Sequence, residues 1–188
     1  MTNLLKKLLS LMAISILVVV VSSSRGQAEE LIPADNALKK VFKGATDFKR
    51  EEINLSPEQV ADIESKSGAS FDGAHPPRVV RYTATRDGET LGFAFEDTVM
   101  GKWGSIHYLA GIDPGGAILE VVVLGYQEIR GRPIAKARFL RQYKRKTVND
   151  PLRLHKDIDG VTGATISSRS ITDGIRKLIH IFNAIQSG

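Results

Sequence analysis

The sequence predicts an α+β domain in which an antiparallel sheet of about four strands is packed by helices and a long helix closes the chain. Three observations carry this. Two pairs of alternating runs are joined by glycine-containing turns, and the last stretch has an apolar stripe at helical spacing. A length of 188 residues, 42% hydrophobic and 25% charged, suits one folded body rather than disorder or a polytopic membrane protein.

In chain order, Pro33 to about Lys43 carries Ala34, Ala37, Leu38, Val41 and Phe42 at helical spacing. Leu55-Ser56-Pro57-Glu58 opens a second helix, with Ser56 as N-cap and Pro57 at the first helical position, where its missing N–H costs nothing. Gly68 to Pro77 is rich in small residues and reads as a linker into the sheet. Val79 to Thr85 and Thr90 to Glu96 alternate around the hairpin turn Asp87-Gly88, and Ile106 to Ile112 and Ala117 to Leu124 repeat the pattern around Asp113-Pro114-Gly115-Gly116. Pro133 then opens a helix to about Lys144, with Ala135, Phe139, Leu140 and Tyr143 on one face. The last helix, from about Ser168 to Ile185, places Ile171, Ile175, Leu178, Ile179, Phe182 and Ile185 in a stripe of period 3.6.

The first 28 residues read as an export signal: Lys6 and Lys7, an apolar run from Leu8 to Val21, three serines, and Gly26-Gln27-Ala28 as a small-residue cleavage site. Leu4 and Leu5 would lengthen the run into an uncleaved membrane anchor. Either way the body is expected outside the cytoplasm, in the periplasm or on the outer face of the cytoplasmic membrane. The formal charge of +5 falls to +2 without that segment, because Lys6, Lys7 and Arg25 leave with it. The rest is uneven: residues 29–97 hold 14 acids and 9 bases, residues 98–188 hold 7 acids and 14 bases. Eight of those bases lie between Arg130 and Lys146 with one sign only. Such a run is either a solvated helix face or a docking surface for an acidic protein or anionic lipid, and export argues against nucleic acid.

With no cysteine, disulfides, thiolate nucleophiles, cysteine-ligated zinc or iron–sulfur clusters and C-x-x-C-H haem attachment are excluded. His75, His107, His155 and His180 show no i, i+4 pair, so no metal site is expected, and no spacing supports a Ser-His-Asp set. Redox chemistry, if present, rests on an organic cofactor or a non-thiolate metal.

The chemistry lies in the segment Asp157-Ile158-Asp159-Gly160-Val161-Thr162-Gly163-Ala164-Thr165-Ile166-Ser167-Ser168. Its small residues let a backbone approach a ligand, its hydroxyls can donate to or attack phosphate, and the helix after it offers unpaired N–H groups and a positive dipole end. An ordinary reading has Ser167 and Ser168 capping that helix and the glycines shaping a turn. It is neither a Walker A loop nor a dinucleotide G-x-G-x-x-G.

Asp159-Gly160-Val161-Thr162-Gly163-Ala164-Thr165 resembles the flavinylation signal Asp-Gly-x-Ser/Thr-Gly-Ala-Thr of the FMN-binding domain family. That domain occurs in subunits of the Rnf complex and the sodium-pumping NADH:quinone reductase, in NosR-like membrane proteins and in small exported proteins. The resemblance implies that a flavin transferase uses FAD, with Mg²⁺, to esterify FMN phosphate to the last threonine of the signal, here Thr165. It also implies cofactor contacts from Asp159, Gly160, Thr162, Gly163, Ala164, Ile166 and Ser167. Two further stretches are similar to the family. Gly101-Lys102-Trp103-Gly104 precedes a strand, and Glu128-Ile129-Arg130-Gly131 stands where relatives have Glu-Thr-Pro-Gly, without the Thr-Pro or the following Leu-Gly. The resemblance spans about Val79 to Ile185, giving a division into a signal or anchor (1–28), an N-terminal helical segment and linker (29–78) and the FMN-binding domain (79–188).

For single residues two readings stand. Thr162 is a turn-stabilising hydroxyl or a rival acceptor. Asp159 bonds backbone N–H groups in an Asx-turn or presents the loop to the transferase. Trp103 is a packed core or hairpin aromatic, or it stacks on the flavin. The expected function is that of an exported electron-transfer flavoprotein with one covalent FMN and no substrate turnover of its own. Its redox partners would be a membrane complex or a cytochrome. The alternative is a sensory or assembly module with structural FMN or none.

Overall fold

In the computed structural model, which describes residues 29–71, 77–126 and 132–187, both predicted hairpins form. The predicted export segment, His75 and Glu128-Ile129-Arg130-Gly131 lie outside the described residues. The elements are β1 (Glu29–Glu30), α1 (Ala34–Val41), β2 (Asp47–Asn54), α2 (Pro57–Ser67), β3 (Arg78–Arg86), β4 (Glu89–Met100), β5 (Ser105–Ile112) and β6 (Ile118–Tyr126). A broken helical stretch follows, made of a 3-10 turn (Arg132–Ala135), α3 (Ala137–Leu140) and a second 3-10 turn (Arg141–Tyr143), and then α4 (Thr165–Gln186).

All strands join one antiparallel sheet in the order β1-β6-β5-β4-β3-β2. Among the described residues it has five full strands and the two-residue β1, against the four expected. The additional full strand, β2, has the sequence DFKREEIN, whose charges hide its alternation. Phe48 opposite Ala84 and Ile53 opposite Val79 set its register on β3, and Arg81 reaches Glu51 across the strands at 2.7 Å. Charges of this kind suit an edge strand, because they discourage further pairing.

The helices cover both faces. Against one, Ile171, Ile175, Leu178, Ile179 and Phe182 of α4 pack on Phe95, Ile106, Tyr108, Ile112 and Val121, joined by Ile63 of α2. On the other, Ala37, Leu38 and Phe42 meet Ala94, Leu109, Val122 and Leu124. The expected start of α2 is present: Ser56 Oγ accepts from Gln59 N at 3.2 Å, and Ser56 N donates back to Gln59 Oε1 at 2.9 Å.

The helix expected from Pro133 to Lys144 is interrupted. Lys136 is extended (φ −71°, ψ 139°), which separates the first 3-10 turn from α3. The reason is packing. On one continuous helix Ile134 and Phe139 would point roughly 140° apart. The break turns both inward, and Ile134, Phe139 and Tyr143 are all buried.

On the α1 face, Tyr82 donates to Glu96 Oε1 at 2.6 Å, and His107 Nε2 lies 3.1 Å from Glu96 Oε2. Burial and the adjacent carboxylate push the Tyr82 phenol up to about 12. Its folded value thus exceeds the unfolded value of about 10, so the stabilisation from the neutral phenol is complete below that pH and is lost as pH rises toward 12. An alkaline unfolding series should show this loss, and Tyr82→Phe should flatten it. An unchanged profile in the variant would refute the assignment.

Candidate functional site

The approach to α4 is backbone held in unusual conformations. Arg145, Leu152 and His155 all have positive φ (68°, 45° and 64°), which is costly for residues with a Cβ. Specific bonds hold the segment. The Asp157 carboxylate accepts from Leu152 N (3.1 Å) and Arg153 N (2.8 Å) and pairs with Lys146 Nζ at 2.8 Å. Partial burial works against its ionisation, but the Arg153 N–H, Lys146 and the Leu152 N–H together hold its pKa below the usual carboxylate range. Arg176 of α4 donates to Leu152 O at 2.8 Å and to Ser67 O, tying this segment to the end of α2.

The carboxylate that accepts from loop N–H groups is therefore that of Asp157, reaching back to residues 152 and 153. Asp159 is exposed and is held through its backbone, because Gln142 clamps both of its polar groups: Asp159 N donates to Gln142 Oε1 (2.8 Å) and Gln142 Nε2 donates to Asp159 O (3.1 Å). The sequence gives no signal for Gln142, whose partner lies 17 residues away.

Beyond Gly160, Ala164 N bonds Val161 O at 2.9 Å, closing a turn with Gly163 at its third position and φ +81°. A Cβ on Gly163 would meet nothing within 4 Å, so only the backbone conformation demands glycine there. Gly163→Ala should accordingly cost about 1–2 kcal/mol in urea unfolding. A neutral or stabilising result would contradict the turn.

α4 begins at Thr165, three residues before the expected Ser168. Ser167 and Ser168 are thus not caps but buried first-turn residues, 1% and 0% exposed. Ser168 Oγ accepts from Val161 N at 3.1 Å. Thr172 Oγ1 donates to Ser168 O at 2.6 Å, which leaves its lone pair for the Tyr143 hydroxyl at 2.7 Å. This chain of bonds fastens the loop, α4 and the second 3-10 turn to one another. The N-cap is Ala164, which offers no side-chain acceptor to the first-turn N–H groups. Thr162, Thr165 and Ile166 are exposed.

The sheet delivers a second component. Residues 101–104 turn between β4 and β5, closed by Gly101 N to Gly104 O at 2.8 Å. Trp103 at this turn is 62% exposed, so the core reading is corrected to a hairpin aromatic, with the Lys102 ammonium 4.9 Å from its ring centre. The turn meets the start of α4 in a cleft of about 240 Å³ lined by Lys102, Trp103, Gly163, Ala164, Thr165, Ile166 and Ser167. Residues some sixty positions apart in the chain thus form one site. Its makeup fits a flavin phosphate: a cation and a helix N-terminus for the anion, an aromatic and an aliphatic surface for a ring, and a hydroxyl at the boundary. The volume is small for a ligand site, so a ring system here stays partly in solvent.

Across the loop lies a larger groove, about 560 Å³, lined by residues that include Lys136, Arg138, Phe139, Gln142, Asp159 and Thr162. Of the basic run, Lys146 pairs with Asp157 and Asp150. Lys136, Arg138, Arg141, Lys144 and Arg145 are exposed and meet no carboxylate among the described residues. Glu128 is outside the described residues, and no cluster of three or more metal-ligating side chains occurs among them.

Known proteins share this arrangement in part. A family model described as an FMN-binding domain matches residues 101–180, from the Trp103 turn through most of α4. Among curated proteins, the chain is 30% identical over 133 residues to the G subunit of the ion-translocating oxidoreductase complex of Vibrio vulnificus, covering 64% of this chain and 61% of the relative. It is 26% identical over 115 residues to the G subunit of the proton-translocating ferredoxin:NAD(+) oxidoreductase complex of Clostridium ljungdahlii, covering 57% and 62%. The chain thus spans a little over three fifths of those relatives. The crystal structure of Shewanella oneidensis NqrC superposes with a TM-score of 0.55 at 17% identity, covering 81% of this chain and 89% of that one. The resemblance to the FMN-binding domain family and the α+β fold are both borne out, and FMN is the cofactor of the matched domain.

Proposed function

We propose that this protein is an exported electron-transfer flavoprotein in which FMN is esterified through its phosphate to Thr165. The carrying observation is the sorting of hydroxyls at the start of α4. Ser167 and Ser168 are buried, whereas Thr165 is exposed as the first residue of the helix, on the lip of the Trp103 cleft. The attached flavin supplies one- and two-electron chemistry. Lys102 and the first-turn N–H groups would hold its phosphate charge, and Trp103 and Ile166 would offer surfaces for its ring. The attachment couples Thr165 Oγ to the flavin-side phosphorus of FAD with release of AMP. A flavin transferase supplies the base and Mg²⁺, since neither a histidine nor a carboxylate is among the described residues that line the cleft at Thr165.

Export rests on the charged and apolar pattern of residues 1–28. The mature mass should start at Glu29; intact Met1 in a membrane fraction would replace cleavage with anchoring. The relatives named above are subunits of redox complexes, and we infer that this chain likewise exchanges electrons with partner subunits or a cytochrome. Protein purified from a host that contains the transferase should be yellow and bleach reversibly with dithionite. Colourless protein would overturn the reading in favour of a sensory or assembly module.

A further inference from the structure

Strand β6 is apolar and buried on both faces, with Val121, Val122 and Val123 all less than a tenth exposed, yet one of its backbone edges is open. β5 pairs along one side. On the other side β1 covers only the far end, where Glu29 and Glu30 oppose Tyr126 and Gly125 and Leu31 N donates to Leu124 O at 2.8 Å. At the near end Ile118 N donates to Lys146 O (2.9 Å) and Arg145 N to Ile118 O (2.7 Å). Between these brackets, residues 119–123 have no backbone partner on that side among the described residues. Five residues of strand span about 17 Å.

This gap is the floor of a groove of about 440 Å³. The groove is lined by all five residues from Leu119 to Val123, with Leu31, Ala135 and Leu140 as apolar walls. Lys40, Arg141 and Lys144 line it as well, and the one acid present, Glu120, is paired with Lys40 at 2.6 Å. Arg141 and Lys144 remain without a carboxylate among the described residues. Edge strands are usually blunted by shortness, charge or cover. β2, at the opposite edge, follows that rule, whereas β6 presents valines in a slot between α1 and α3 with cations at its rim.

We propose that this slot is a docking site that receives an extended acidic segment of a partner protein as an added strand beside β6. Backbone hydrogen bonds to the alternate residues of 119–123 whose N–H and C=O groups point away from β5 supply the pairing, and carboxylates on the incoming strand meet Arg141 and Lys144. A second copy of this chain is disfavoured as occupant, since edge-to-edge pairing would bring the two Arg141–Lys144 pairs together. The inference does not depend on flavin attachment.

The probe is a fluorescent eight-residue peptide of alternating valine and glutamate, titrated against the full exported chain, with a valine–lysine peptide as control. The acidic peptide should bind saturably with Kd below about 1 mM, more weakly as salt rises. Within residues 119–123, the alternate amides that point away from β5 should gain hydrogen-exchange protection. Arg141→Glu with Lys144→Glu, both exposed, should weaken binding about tenfold, and methylation of alternate peptide amides should abolish it. Absence of saturable binding, equal binding of the lysine or methylated peptide, or protection confined to other strands would each overturn the proposal.

Discussion

Thr165→Ala should lose all covalent flavin: after denaturation and electrophoresis, its flavin fluorescence should fall to background while the wild-type band should stay bright. The expectation is this sharp because a phosphoester needs one particular oxygen and neighbouring hydroxyls are poorly placed to replace it. Ser167 and Ser168 are buried, and Ser168 Oγ is engaged by Val161 N, so either could react only after the first turn of α4 unwinds. Thr162 is exposed and is the real rival, but it lines the groove across the loop and is not among the residues that line the Trp103 cleft. Thr162→Ala should therefore lower the yield without abolishing it, and Thr165→Ser should keep part of it because a hydroxyl remains. An unactivated alcohol does not attack a pyrophosphate at useful rates, so expression without the transferase should give colourless protein. A flavinylated peptide modified at Thr162, Ser167 or Ser168, or full covalent flavin in Thr165→Ala, would refute the assignment.

The sequence revealed what depends on local pattern. The Asp87-Gly88 hairpin, the Ser56 cap and the stripe from Ile171 to Ile185 stand where periodicity and turn chemistry put them. What stayed hidden was set by tertiary partners. β2 is stabilised by register on β3 against a charged composition, and the break at Lys136 exists because two side chains five positions apart must both face the core. The sequence places the start of α4 three residues late because its N-cap is Ala164, a residue with no capping side chain, whereas Ser167 and Ser168 look like caps and are used inside the helix. Of the site, the attachment loop was legible as a motif. That Trp103 and Lys102 stand beside it required the long β4–β5 hairpin to carry them there, and Gln142 left no trace in spacing at all.

The second large effect is expected at Gly174, where α4 crosses the sheet. A Cβ at this position would run into the Tyr108 hydroxyl and lie 2.8 Å from Val99 Cγ1. Tyr108 is fully buried and donates to Asp97 Oδ2 at 3.1 Å, and Lys177 Nζ sits 3.1 Å from the same oxygen, so the phenol cannot swing aside without breaking that group. Alanine would gain about 1 kcal/mol from helix propensity. Overpacking of a filled core costs about 1–3 kcal/mol and occasionally more. With one contact against a tethered hydroxyl and another against a β-branched methyl, the upper end applies, and Gly174→Ala should be destabilised by about 2 kcal/mol net, a fall in Tm of roughly 4–8 °C. Tyr108→Phe removes the oxygen that the new Cβ meets, so the same substitution in that background should cost at least about 1 kcal/mol less. Gly174→Ala should also lower the yield of flavin on Thr165, because shifting α4 outward moves Thr165 away from the Trp103 turn. Gly174→Ala that is more stable than wild type, or a cost unchanged by Tyr108→Phe, would show that α4 is not held at this contact.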